Sequence, residues 1–162
     1  MSSPFDPALF LDAQVSEVNE TLPPLPVENP ASPDGCYTAI IGEVKTETGT
    51  IGKGDRAGQP WLSVIIPLKL EIPQQLQEGL GYPAVYQLTD RAFLDLTPQN
   101  TIDNAKGKNR RQKEYREALN LNKPGDVWSW RKAVGQAVKV KVEQEMYEGR
   151  PIAKPGLIMK RG

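Results

Sequence analysis

The sequence contains no histidine. That absence excludes Ser-His-Asp and Cys-His catalysis, HExxH zinc sites and most other zinc sites. Cys36 is the only cysteine, so no internal disulfide can form, which fits a reducing cytoplasm. No run of about 18 apolar residues occurs, so no helical membrane span is expected. Met1 to Phe10 has neither the basic region nor the apolar run of a secretory signal. Gly49, Gly52 and Gly54 fit the spacing of neither a P-loop nor a dinucleotide-binding turn. Positive charge is missing from the first 44 residues. They hold seven acids (Asp6, Asp12, Glu17, Glu20, Glu28, Asp34 and Glu43) and no lysine or arginine.

The charge that is present is therefore segregated. Residues 45–162 hold all 20 basic residues and 13 acids, a net charge of +7 in a chain whose total is zero. A basic body fits a polyanionic ligand, and an acidic arm can compete for the same surface. A length of 162 residues argues for one domain, while 15 prolines and 14 glycines argue for loops and an extended arm beside it. The arm is expected over residues 1–33 and the domain over residues 34–162. In the arm, Phe5, Leu9, Phe10, Val15 and Val18 fit one short amphipathic helix. Thr21 to Pro33 then carries five prolines, so it should be extended, without ladder bonds, with a reach of about 40 Å.

Within the domain, Cys36 to Lys45 reads as a first strand and Thr46 to Gln59 as a long glycine-rich loop. Trp61 to Ile72 alternates with period two. Leu62, Val64, Ile66, Leu68, Leu70 and Ile72 share one face, and Trp61, Ser63, Ile65, Pro67, Lys69 and Glu71 share the other. Pro67 implies an edge position or a bulge. Pro73 to Pro83 reads as an irregular insert and Ala84 to Thr97 as a third strand. A charged helix is expected over Thr101 to Leu121, and a short one from Asp126 through Val134. Ala137 to Glu145 and Ile152 to Met159 read as the last two strands, joined by a turn at Tyr147 to Arg150.

Three strands, a helical insert and two strands form the plan of a mainly β, five-stranded OB-fold-like barrel. That fold binds oligonucleotides on its second and third strands and in its first and fourth hairpin loops. The same order also fits another small β-barrel or an α+β sandwich.

Enzymatic chemistry has little support. Carboxylate pairs such as Asp90 with Asp95 and Glu143 with Glu145 occur in any soluble protein, and Cys36 reads as a small core residue. The chain is read as no enzyme, with no metal and no cofactor. Single-strand binders need basic side chains along a groove and aromatic rings for bases to stack on. The OB plan places such groups at Lys45, Lys53 and Arg56 around the first hairpin loop. It adds Trp61, Ser63 and Lys69 on the second strand, Arg91 and Phe93 on the third, and Tyr147 and Arg150 at the last hairpin. Trp61 is expected to stack on a base. A secondary basic cluster comprises Lys106, Lys108, Arg110, Arg111, Lys113 and Arg116, close to Trp128 and Trp130. It reads either as a phosphate grip or as a solvated helix face. Of the two tryptophans, one is expected in the core.

The runs Asp34 to Ile41, Trp61 to Ile66, Gly135 to Val142 and Tyr147 to Pro151 resemble phage-encoded OB-fold single-stranded DNA-binding proteins. The chain departs from that pattern in the insert Ile72 to Pro83. Its acids lie near the N-terminus, and its last residues, Met159-Lys160-Arg161-Gly162, are basic. The resemblance implies sequence-independent single-stranded DNA binding in phage replication or recombination. It implies single-stranded DNA and replication or recombination proteins as partners, no membrane, and a location in the host cytoplasm. The alternative is a non-enzymatic protein-interaction module, such as a small virion component or a modulator of a host enzyme.

Overall fold

A computed structural model describes residues 5–161, and the alternating stretch becomes its central strand. The strands are β1 (Tyr37–Ile41), β2 (Lys45–Thr50), β3 (Pro60–Glu71), β4 (Val85–Leu94), β5 (Ala137–Tyr147) and β6 (Arg150–Lys160). The helices are α1 (Gln74–Leu80) and α2 (Arg110–Ala118). The protein is mainly β, with one six-stranded antiparallel sheet that does not close on itself. The order is β2-β3-β1-β5-β6, and β4 pairs with β3.

β4 runs beside β3 from Leu62 to Glu71, so β1 and β2 must share the other edge of β3. β2 takes Pro60 to Ile65 and β1 takes Leu68 to Leu70. The single first strand expected over Cys36 to Lys45 is thereby split, which is why six strands replace five. Pro67 explains the split. Its carbonyl accepts from the Gly42 N–H at 2.8 Å, so its missing N–H lies on that same edge and the ladder breaks there. The expected loop of 46–59 shrinks accordingly to 51–59.

Val64, Ile66, Leu68 and Leu70 of β3 meet Ala39 and Ile41 of β1 and Val138, Val140 and Val142 of β5 in the core. α2 fills the side where β4 and β6 approach each other without a ladder. Three other expectations are corrected. The insert after β3 is not irregular but holds α1, closed by Gly81. The helix expected from Thr101 begins only at Arg110. Asn109 takes a left-handed conformation (φ 53°), and its side chain and N–H bond Asp95, at 2.7 and 2.6 Å. No helix starts at Asp126, whose carboxylate accepts from the Lys123 N–H instead, and a 3₁₀ turn spans Trp130–Ala133.

The arm also differs from expectation. Its first part forms only a 3₁₀ turn at Pro7–Asp12, capped by Asp6, and residues 5–22 are exposed. The proline-rich part is a strap. Leu25 is fully buried in the core. The Pro23 carbonyl accepts from the Tyr82 hydroxyl, that of Leu25 from Gln144 at 2.9 Å, and that of Pro26 from Tyr37 at 2.8 Å. Proline leaves these carbonyls without ladder partners, and side chains of the body satisfy them. The strap ends at Asp34, whose carboxylate meets Lys139 Nζ at 2.6 Å. That hydrogen bond, then those from Ser32 and the Cys36 N–H, hold the Asp34 carboxyl well below the usual range.

Candidate functional site

The outer face of β2–β3–β4 gathers four of the residues singled out from the sequence. In register, Trp61 lies opposite Gly49, Ser63 lies between Glu47 and Phe93, and Ile65 lies between Lys45 and Arg91. The Trp61 and Phe93 rings tilt against each other with centroids 5.8 Å apart. Arg91 Cζ lies 5.8 Å from the centre of the Phe93 ring, within cation–π range. Arg91 donates to Ser63 Oγ at 3.1 Å and reaches Glu47 at 3.2 Å. Ser63 is therefore not the exposed polar residue its position in the alternation suggests, because this cluster covers it completely. Phe93 remains 59% exposed.

Gly49 makes the arrangement possible. A Cβ there would sit 2.6 Å from the Trp61 ring, so only glycine lets the indole lie flat across β2. This partner was not legible without the β2–β3 register. The threonines at 46, 48 and 50 were the available signal that the stretch is a strand.

Lys45 sits at the edge of the same face, beside Ile65 in the row of Arg91. The other predicted site residues are dispersed. Lys69 lies farther along β3, opposite Gln87. Lys53 is exposed in the 51–59 loop. Arg56 in that loop is engaged, bonding Gln59 at 2.8 Å and the Leu96 carbonyl at 3.2 Å. Tyr147 and Arg150 pair across the two-residue turn at Glu148-Gly149. That hairpin projects past the Tyr37 end of β1, whereas Trp61 lies beyond its other end. The structure therefore does not bring the hairpin and the Trp61 cluster into one patch.

The secondary basic cluster divides. Arg111 donates to Asp90 and to Glu114, both at 2.8 Å, and Tyr115 donates to the same Asp90 oxygen at 2.7 Å. Glu114 also accepts from the Ile158 N–H of β6 at 3.4 Å, so the network ties β4, α2 and β6 together. Burial opposes the Arg111 charge, but the Asp90 hydrogen bond and the surrounding negative groups outweigh it and raise its pKa. Burial first, and then the Asp90 charge, push the Tyr115 hydroxyl far above its usual value. Arg116 bonds the Leu121 carbonyl at 2.9 Å, and Lys113 lies 3.7 Å from Glu117. Lys106, Lys108 and Arg110 are exposed.

Trp128 precedes the 3₁₀ turn and Trp130 opens it, so they do not share one helix. They stack edge to face at 5.3 Å, and both pack on the core. Trp130 also bonds Gln112 at 2.9 Å and meets Tyr115 at 5.2 Å.

Comparison of the chain with protein-family models and with curated proteins finds no match.

Proposed function

We propose that the protein binds single-stranded DNA without marked sequence preference across the outer face of β2–β3–β4. The observation that carries this reading is the half-buried Trp61 ring in contact with the exposed Phe93 ring, with Arg91 beside them. Aromatic faces accept any base, and a neighbouring guanidinium meets phosphate whatever the sequence. The residues gathered there have no core to hold: the pair sits on the face of the sheet turned away from Val64, Ile66 and Leu68.

The finer fold reading takes β1 and β2 as two halves of one bent strand. Five strands remain, with α2 between the third and fourth, as in the OB plan. The pairing of β1 with both β3 and β5 supports it. A phage setting, in DNA replication or recombination, rests on the resemblance of the strand-forming runs. The rival reading, a protein-interaction module, is favoured by the exposed arm, where Phe5, Leu11 and Val18 are each more than three-quarters exposed.

The test is anisotropy of labelled oligo-dT and of duplex DNA across a salt series. Three to five phosphate contacts imply a slope of about −2 to −3.5 in log K against log salt. Single strands should bind more tightly than duplex. Absence of binding at low salt overturns the reading and leaves the protein-interaction module.

A further inference from the structure

β1 has a strand on each side, but β2 does not. The β1–β5 pairing ends where Ile41 and the Gly135–Gln136 pair exchange hydrogen bonds of 2.7 and 2.9 Å. Beyond that point β2 keeps β3 alone, and the Trp130–Ala133 turn stands where β5 would have continued. The sheet therefore has a seam, and a cavity of about 440 Å³ opens in it. That volume falls within the range of small-molecule sites, about 300–1,000 Å³.

Val44, Val64, Leu94 and Trp130 give the cavity an apolar lining, and Lys45 and Arg131 stand at it as cations. Among the described residues neither cation is in an ion pair, and no acid lines the cavity. Among the described residues the outer backbone groups of β2 have no strand partner. They are therefore available to the polar edge of a ligand.

We infer that this seam holds a nucleobase of the same single strand, with Lys45 and Arg131 on the flanking phosphates. The inference rests on the DNA-binding reading above. A base needs an apolar slot, an aromatic wall, a hydrogen-bonding edge and nearby cations, and the seam supplies all four. Two cations without an acid favour a polyanion over an added peptide strand. Lys45 joins the two surfaces. It lines the seam and sits in register beside Ile65, in the row that also contains Arg91. A strand stacked on Trp61 and Phe93 thus reaches the seam by crossing the β2 edge.

The test uses the full chain, oligo-dT carrying one abasic position stepped along its length, and the variants Arg131→Ala, Ser129→Trp and Trp61→Ala. Both Ser129 and Arg131 are exposed, so melting curves should match the wild type. Arg131→Ala is expected to bind about 3- to 10-fold more weakly, with a salt slope shallower by about 0.7, one phosphate's share. Ser129→Trp fills the seam. The wild type should be sensitive to abasic sites at two separated positions, and Ser129→Trp at only one. If both seam variants bind like the wild type while Trp61→Ala weakens binding, the seam proposal fails and the outer-face reading stands. If the wild type binds no oligo-dT, the DNA reading fails with it. If Ser129→Trp instead abolishes self-association seen without DNA, the seam belongs to a second copy of this chain and the inference is overturned.

Discussion

Two clusters in this molecule are built from the same kinds of residue. Trp61, Phe93, Arg91, Ser63 and Glu47 form one; Tyr115, Trp130, Arg111, Asp90 and Glu114 form the other. Each has aromatic rings in contact, an arginine and a carboxylate. They differ in burial. Tyr115 is fully buried, and its cluster joins β4, α2 and β6 where no backbone ladder does. The Arg91–Glu47 pair is about half exposed and lies on a sheet that β2, β3 and β4 already hold by their own ladders. The lesson is that composition does not separate a cluster that holds the fold together from one that does not. What separates them is whether the backbone is already satisfied without them.

The largest effects should therefore come from the buried cluster. Tyr115→Ala is expected to cost about 3–5 kcal/mol of stability, by cavity formation and loss of the hydroxyl donor to Asp90. Asp90→Ala leaves Arg111 without its main partner and should cost about 3–5 kcal/mol. Arg91→Ala in the exposed cluster should cost only about 0–1 kcal/mol. Urea denaturation of the three variants checks the contrast. Equal losses at Arg91 and Asp90 would mean the two clusters do the same work.

Affinity should reverse the order. Trp61→Ala is expected to weaken oligo-dT binding by about 1–3 kcal/mol, the worth of one base–aromatic stack. Trp128→Ala should lower the melting temperature and leave affinity per folded molecule unchanged. An unfolded Trp61→Ala beside a Trp128→Ala that only binds less well would invert the assignment of faces.

Much of this was legible from the sequence, and the failures have physical causes. Period two exposed β3, and Val138, Val140 and Val142 exposed β5, because one face of each strand meets the core. The split of the first strand was missed because it depends on which edge of β3 the Pro67 carbonyl faces, and only the register decides that. Arg111 and Lys108 looked alike in a charged run. Asp90, 21 residues before Arg111, makes one of them structural, and no local pattern reports a contact at that separation. Trp61, Ser63, Arg91 and Phe93 were found together because alternation places side chains on faces. Loop residues such as Arg56 carry no such periodicity.

The strap gives a smaller, pH-dependent effect. Burial, and then neighbouring groups, push the Tyr37 and Tyr82 hydroxyls up to about 12. Both donate to strap carbonyls, so both must stay protonated. Their folded pKa values exceed the unfolded value near 10, so the stabilisation is complete below about pH 10 and is lost as pH rises toward 12. Each hydroxyl bond is worth about 0.5–1.5 kcal/mol. Melting curves from pH 8 to 12 should show a steeper decline for the wild type than for Tyr37→Phe or Tyr82→Phe. A parallel decline would remove these hydroxyls from the account of strap stability.

The smallest effect concerns the two halves of the arm. Deleting residues 1–30 removes Leu25 and should destabilise the protein by about 2–5 kcal/mol, so that truncation does not test competition for DNA. Deleting residues 1–20 leaves the strap in place and removes four acids, Asp6, Asp12, Glu17 and Glu20, with the exposed Phe5 and Phe10. These carboxylates can stand in for phosphates and the rings for bases, held near the basic body by the strap at high effective concentration. The strap is docked from Pro23 onward, so the reach belongs to the exposed residues alone, shorter than an undocked linker would give. The expected outcome is a gain in oligo-dT affinity of about 2- to 5-fold at low salt. The gain should vanish near 0.5 M salt, where the Debye length falls to about 4–5 Å. Unchanged affinity at every salt concentration, with an unchanged melting temperature, would leave the segment free of the DNA surface. The charge segregation along the chain would then have no part in binding.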